Sequence, residues 1–190
     1  GTGALLLFGM VQVTMIGWGL FRGEKLRMGQ WFAFGMAFAG LIYLVLPGLE
    51  APDMTSSMLM VAAGLGWGVY SLLGRGAGDP ISKTAGNFIR ACLFGLLLAL
   101  WSSFQNAWDW QGVGLAVGSG AIASGLGYAL WYRVLPSMRA ATAATVQLSV
   151  PVIAASGGIL LLEERLTNRL LLASLTILGG IAWFIQQRKT

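Results

Sequence analysis

Residues Arg139 to Gln187 limit what this chain can fold into. Two apolar runs lie either side of a short charged turn, Glu163-Glu164-Arg165-Leu166-Thr167-Asn168-Arg169. Each run is about as long as the roughly 20 residues that a membrane-spanning helix needs. The first is rich in small residues and carries Gln147, Ser149 and Pro151 near its middle; the second carries Gly179-Gly180. The same pattern recurs upstream at an offset of 140 positions. Glu24-Lys25-Leu26 falls on Glu164-Arg165-Leu166, Gly17 on Gly157, Gly40 on Gly180 and Tyr43 on Trp183. One helix–turn–helix unit therefore stands at both ends of the chain, and such self-similarity outranks any local motif.

Composition extends this reading to the whole chain. Of 190 residues, 56% are hydrophobic and 10% are charged, against about 25% charge in a soluble domain. Mean hydropathy is +0.74. Long apolar stretches without alternating polarity exclude barrel strands. The fold class is all-α, a polytopic helical membrane protein. The net charge of +5 fits basic cytoplasmic loops better than nucleic-acid binding. The single cysteine, Cys92, cannot form an internal disulfide and suits packing. Histidine is absent from the sequence.

Seven spans follow in order: Gly3 to Phe21, Trp31 to Leu46, Met58 to Leu73, Thr84 to Ser103, Gly112 to Trp131, and the two runs already described. The second stops at Pro47-Gly48. Polar links run from Glu50 to Ser57 and from Arg75 to Lys83, and a third holds Asn106, Trp108, Asp109 and Trp110. Its tryptophans suit a membrane interface. Alternate loops carry Arg22, Lys25 and Arg27, then Arg75 and Lys83, then Arg133 and Arg139, then Arg188 and Lys189. This bias places the C-terminus in the cytoplasm. The turn at Glu24 is then inside and the turn at Glu164 outside, so the two copies are inverted. Five helices separate equivalent points, which implies a five-plus-five inverted-repeat transporter design. Residues 1–49 would be the last two helices of the first half-repeat, and 58–187 a complete five-helix second half-repeat. The chain begins at Gly1 with no charged leader, and three leading helices are expected to be absent.

In order along the chain, Tyr128-Ala-Leu-Trp131, Ala144 through Pro151-Val152, Leu162-Glu-Glu-Arg-Leu166 and Gly179-Gly180 resemble the EamA-type drug/metabolite transporters. Asn87-Phe-Ile-Arg90 is similar to the Arg-bearing second helix of that family's repeat. The resemblance covers the whole chain and fits the second half-repeat best. It implies ten helices, both termini in the cytoplasm, and movement of small metabolites.

Several residues are candidates for a substrate site. Arg90 lies about two turns into the fourth span, counted at 1.5 Å per residue. A charge there faces a cavity or a partner, binding an anionic group such as a carboxylate, or else snorkels to the headgroups. Asn87 shares its face. Trp67, Tyr70 and Ser71 share a face of the third span, and the fifth offers Tyr128, Trp131 and Tyr132. These line a site for apolar or aromatic solutes, or they pack and anchor at the interface. Gln147 and Ser149 precede Pro151, which kinks its helix and frees the carbonyl four residues back. That carbonyl must be satisfied locally, as at the midplane site of a transporter, or the kink serves packing alone. Glu24 and Glu164 suit structural turns, pairing with Lys25 and Arg165 or capping the next helix. Gly64-x-x-x-Gly68 and Gly114-x-x-x-Gly118 suit close helix contact. Gly74-Arg-Gly-Ala-Gly78 is no phosphate loop, since no Gly-Lys-Ser/Thr ending follows.

Every Asp and Glu falls in a link or at a span end, so no intramembrane proton carrier is visible. The lysines, Lys25, Lys83 and Lys189, lie in loops or tail, which argues against a retinal protein. The lack of histidine excludes a Ser-His hydrolase. The expected function is secondary transport, with export of a small metabolite such as an amino acid or apolar compound by alternating access across a bacterial inner membrane. A non-transporting subunit or an inactive truncated product is the alternative. Expected partners are a small-molecule substrate and the lipid bilayer, with homodimer formation left open. No nucleic acid, cofactor, metal or enzymatic activity is expected.

Overall fold

The computed structural model describes residues 2–46, 53–75, 78–103, 109–162 and 166–187. Pro47, Glu50, Gly76, Asn106, Trp108, Glu164, Arg165, Arg188 and Lys189 lie outside the described residues. The elements are α1 (Thr2–Phe21), α2 (Met28–Val45), α3 (Met54–Gly74), α4 (Pro80–Ser103), α5 (Trp110–Val117), a π-helical stretch (Gly118–Leu126), α6 (Gly127–Val134), α7 (Ala140–Gln147), α8 (Val150–Leu162) and α9 (Asn168–Gln186). They form seven segments long and apolar enough to cross a membrane. No strand occurs among the described residues. Helices satisfy their own backbone in lipid, which is why an apolar chain adopts them.

Three helices start earlier than their apolar runs, because acidic link residues cap them. Asp53 Oδ1 accepts from Ser56 N at 2.9 Å. Asp79 accepts from Ser82 N at 3.1 Å, and Pro80 follows at the first helical position, where a missing N–H costs nothing. Asp109 accepts from Gly112 N at 2.9 Å. Side-chain oxygens of this kind satisfy the orphan donors of a first turn. The Ser56 side chain, then its backbone, holds the Asp53 carboxyl below its ordinary range. The Ser82 side chain, then backbone N–H groups, does the same for Asp79.

The chain divides into two compact units, Gly1–Leu72 with Met138–Thr190, and Leu73–Ser137. Within the first, α2 and α9 make the most extensive contact. A Cβ on Gly40 would lie 2.8 Å from Ile177 Cγ1 and 3.2 Å from the Ala173 carbonyl. One on Gly180 would lie 2.7 Å from both the Ala33 carbonyl and the Ala37 amide. Numbers rise on one helix as they fall on the other, so the pair is antiparallel. Absence of side chains at both points lets the backbones approach, as membrane helix contacts favour. Gly64 and Gly68 do the same for α3 on α1. A Cβ there would lie 2.7 Å from Met10 Cβ and 2.6 Å from Thr14 Cβ. The core of this unit joins Phe8, Ala37, Leu41, Leu148, Val152, Ile177 and Ile181.

The second unit holds the end of α3 with α4, α5, the π-helical stretch and α6. Gly74 meets the Tyr132 ring directly, and Tyr132 is 2% exposed. Tyr132 is therefore a packing residue and not an interface anchor. The expected contact at Gly114 and Gly118 is not made: a Cβ at either meets no described neighbour. Apolar side chains along α4, among them Leu93, Phe94, Leu97 and Leu98, are exposed. In a membrane chain such faces meet acyl chains as apolar as themselves.

Candidate functional site

The sixth span is two helices, not one. Pro151 has no N–H to donate to Gln147 O, and the helix breaks at Leu148-Ser149 between α7 and α8. The break lies roughly 14 Å into the span at 1.5 Å per residue, near the middle of a hydrocarbon core about 30 Å thick. Leu148 N turns to Thr145 O at 3.1 Å and Ser149 N to Val146 O at 3.0 Å. Both donors reach three residues back instead of four. Leu148 N is thereby taken from Ala144 O, its α-helical acceptor. The side chain of Gln12, on α1, replaces it: Gln12 Nε2 donates to Ala144 O at 3.0 Å. The expected freed carbonyl at Gln147 is thus only part of the consequence. The proline shifts the ladder, and the repair comes from 132 positions away.

One turn further, Gln147 Nε2 donates to Ser71 Oγ and to Met15 Sδ, both at a long 3.4 Å. Gln12, Ser71, Thr145 and Gln147 are all buried. Thr145 Oγ1 returns to Ala141 O at 2.8 Å. Gln12 Oε1 and Gln147 Oε1 are buried with no hydrogen-bond partner among the described residues. Leaving such an acceptor unmade costs about 1–3 kcal/mol. Each oxygen keeps acceptor capacity that no described residue uses.

Glu24 holds the other end of α7. Its carboxylate accepts from Ala140 N at 2.9 Å and Ala141 N at 3.2 Å. It does not cap the helix that follows it in sequence; it caps a helix more than a hundred residues away. Negative charge at a helix N-terminus is doubly favoured, by the free amides and by the dipole. Gly19 makes the approach feasible, because a Cβ there would sit 2.7 Å from Glu24 Oε2. The following helix is capped otherwise, by Gln30 Oε1 accepting from Arg27 N at 3.1 Å. Its repeat counterpart, α9, begins with Thr167 Oγ1 accepting from Leu170 N at 3.2 Å. Gly23, at φ +86°, makes the turn between α1 and α2, a conformation glycine adopts without penalty.

The remaining candidates divide between the units. Trp67 is half-buried and packs on Phe8 with ring centroids 5.7 Å apart. Tyr70 and Ser149 are half-buried. In the second unit, Tyr128 sits between Phe88 and Tyr132, at 6.3 and 6.1 Å. Trp131 and Asn87 are half-buried, and Arg90 is exposed. The Arg90 guanidinium folds back over Gly86, one turn nearer the start of α4. The structure brings Gln147 together with Ser71, and adds Gln12 and Met15, which the sequence reading passed over. The signal for Gln12 was present: a carboxamide in the middle of an apolar run needs a partner.

Comparison with known proteins gives consistent results. The model of the EamA-like transporter family matches residues 54–186. An uncharacterized protein of Pseudomonas aeruginosa is 53% identical over 99% of this chain and 66% of its own length. The threonine/homoserine exporter RhtA of Escherichia coli K12 is 30% identical over 73% of this chain and 48% of its own. The chain thus spans just under two thirds of the first relative and about half of the exporter. A solved crystal structure shares the fold, with a TM-score of 0.70 over 99% of this chain and 67% of its own at 20% identity. The family is one of membrane transporters and not of enzymes. With seven apolar spans, a broken sixth span and a family model matched over most of its length, the chain belongs to the EamA-like transporter family.

Proposed function

We propose that this chain is the larger part of a secondary transporter that exports a small neutral amino acid across a bacterial inner membrane, with its C-terminus in the cytoplasm. The observation that carries the reading is the break at Leu148-Ser149, where Gln147 presents a buried, unpartnered carboxamide oxygen beside Ser71. Broken helices with free polar groups at mid-depth are how transporters hold solutes away from both surfaces. The substrate class follows the likeness to the threonine/homoserine exporter.

The seven helices are read as the fourth to tenth of a five-plus-five protein, with residues 1–49 closing the first half-repeat and 58–187 forming the second. The family match over 54–186 and the reciprocal seam at Gly40 and Gly180 support that division.

Inside-out vesicles carrying the whole protein should take up labelled threonine or homoserine faster than empty vesicles. Gln147→Leu should reduce that uptake at least about tenfold, as losing a buried polar contact to substrate implies. Uptake no faster than in empty vesicles, for these and other neutral amino acids, would sink the proposal and favour a non-transporting subunit.

A further inference from the structure

A groove of about 320 Å³ lies between α1 and α2. Gly9, Val13 and Gly17 line it on α1, and Trp31, Phe34 and Phe38 on α2. Besides Gln12, whose amide donates to Ala144 O, the lining side chains are apolar or aromatic. From Gly9 to Gly17 it extends roughly 12 Å at 1.5 Å per residue, most of one leaflet's half of a core about 30 Å thick. Because α1 and α2 are consecutive, one end of the groove is the turn that joins them. That turn, residues 22–27, carries Arg22, Lys25 and Arg27, all exposed. Arg22 stands five residues past Gly17 and Arg27 four before Trp31, about 6–8 Å along the helix axes. Glu24, the acidic residue of the turn, faces the amides of Ala140 and Ala141. Arg22 lies over the Trp18 ring at 4.9 Å. Trp18 and Trp31 are both 41% exposed, which suits tryptophans at headgroup level. The groove is therefore basic at its turn end and apolar along its length.

We infer that this groove seats one acyl chain of an anionic phospholipid, with the lipid phosphate among Arg22, Lys25 and Arg27. The walls accept a hydrocarbon chain, and charge selects the lipid. A base beside a headgroup favours an anionic lipid by about fivefold. The same face is exposed in the other copy of the repeat. Ile153, Leu171 and Leu178 stand 140 positions after Val13, Trp31 and Phe38, and all three are exposed. A Cβ on Gly157, the counterpart of Gly17, meets no described neighbour. The two copies differ in the charge of the joining turn. Residues 22–27 hold three bases and one acid, whereas 162–167 hold one base, Arg165, and two acids, Glu163 and Glu164. An anionic headgroup is therefore favoured at the first copy and not at the second. This site is separate from the one proposed for transport and does not depend on it.

The test is native mass spectrometry of the whole protein, stripped of lipid in detergent. The probes are phosphatidylglycerol and phosphatidylcholine with identical acyl chains. Phosphatidylglycerol should bind at least about tenfold tighter. Arg22→Gln, Lys25→Gln and Arg27→Gln together should bring that ratio within about threefold. Arg75→Gln with Lys83→Gln, at another basic link, should leave it unchanged, which separates this site from a general attraction to basic loops. At Gly17 an added Cβ meets no described neighbour, so Gly17→Phe should fill the groove and weaken phosphatidylglycerol at least about fivefold. A ratio near one in the wild type, as a groove covered by a further segment of the protein would give, overturns the inference. So does a ratio that the triple variant leaves intact, or that the Arg75 and Lys83 variant lowers as far. Binding that Gly17→Phe leaves unchanged also overturns it, since that would mark a headgroup patch without an acyl seat.

Discussion

Gly40 and Gly180 stand 140 positions apart and receive each other's helix at matching points. Gly40 faces Ala173 and Ile177, and Gly180 faces Ala33 and Ala37. Those neighbours are themselves partners at the same offset, Ala33 with Ala173 and Ala37 with Ile177. The seam between α2 and α9 is therefore pseudo-twofold, built from one pattern used twice.

The seam is not equally tolerant on its two sides. A Cβ at Gly180 meets backbone atoms at 2.7 Å, whereas at Gly40 the nearest atom is a side-chain carbon of Ile177 at 2.8 Å. A side chain can turn aside and a helix backbone cannot. Gly180→Ala should cost about 1–3 kcal/mol, and Gly40→Ala measurably less. Thermal unfolding of the purified variants in detergent decides this, and equal or reversed effects would refute the asymmetry.

Glu24 should be worth more than a surface charge. Glu24→Ala removes two charge-assisted bonds to the start of α7 and should destabilise by about 1–3 kcal/mol. Glu24→Gln keeps an acceptor oxygen and should recover part of the loss. Lys25→Ala, which leaves the cap intact, should change stability by less than about 0.5 kcal/mol. A loss for Lys25→Ala as large as that for Glu24→Ala would move the role to a local ion pair.

The link between Pro151 and Gln12 predicts non-additivity. With alanine at 151 the ladder can close, and Ala144 O can regain Leu148 N. Gln12→Leu should then cost about 0.5–3 kcal/mol less in the Pro151→Ala background than in the wild type. A double-mutant cycle on unfolding free energies measures the coupling, and simple additivity would show that the two positions are independent.

Acid should loosen the starts of α3 and α4. Asp53 and Asp79 have carboxyl groups held below the ordinary value of 3.8. A depressed folded value means stability that is present in full above the unfolded value and lost as pH falls through the folded one. Hydrogen exchange at Ser56 and Ser82 should accelerate, after correction for intrinsic rates, below about pH 4. Asp53→Asn and Asp79→Asn should flatten that dependence. Unchanged protection in the wild type between pH 5 and pH 3 would count against it.

Much of the architecture could be read from the residues. The apolar runs gave seven spans, since lipid admits only helices or closed barrels and the pattern lacked alternation. Span starts were placed too late at Met58, Thr84 and Gly112, because an apolar window does not see a polar cap. Aspartate at 53, 79 and 109 extends each helix into what reads as a link. Of the two small-residue motifs, Gly64–Gly68 makes the expected close contact and Gly114–Gly118 does not. Small residues permit approach but do not choose the partner.

Sequence alone determined the periodic facts: which stretches are apolar enough to enter a membrane, that the ends of the chain repeat at 140 positions, and that Pro151 disturbs the helix of the sixth span. These depend on local composition and on backbone chemistry carried by each residue. Tertiary structure alone decided where the resulting vacancies go. A freed carbonyl at Ala144 has no sequence signal naming Gln12 as its donor, and the amides of Ala140 and Ala141 have none naming Glu24. Such pairings are set by which helices become neighbours, and in a bilayer that choice is made by close backbone contact at glycines such as Gly19, Gly40 and Gly180. The physical reason is that apolar faces are nearly interchangeable in lipid, so shape and buried hydrogen bonds select the partner.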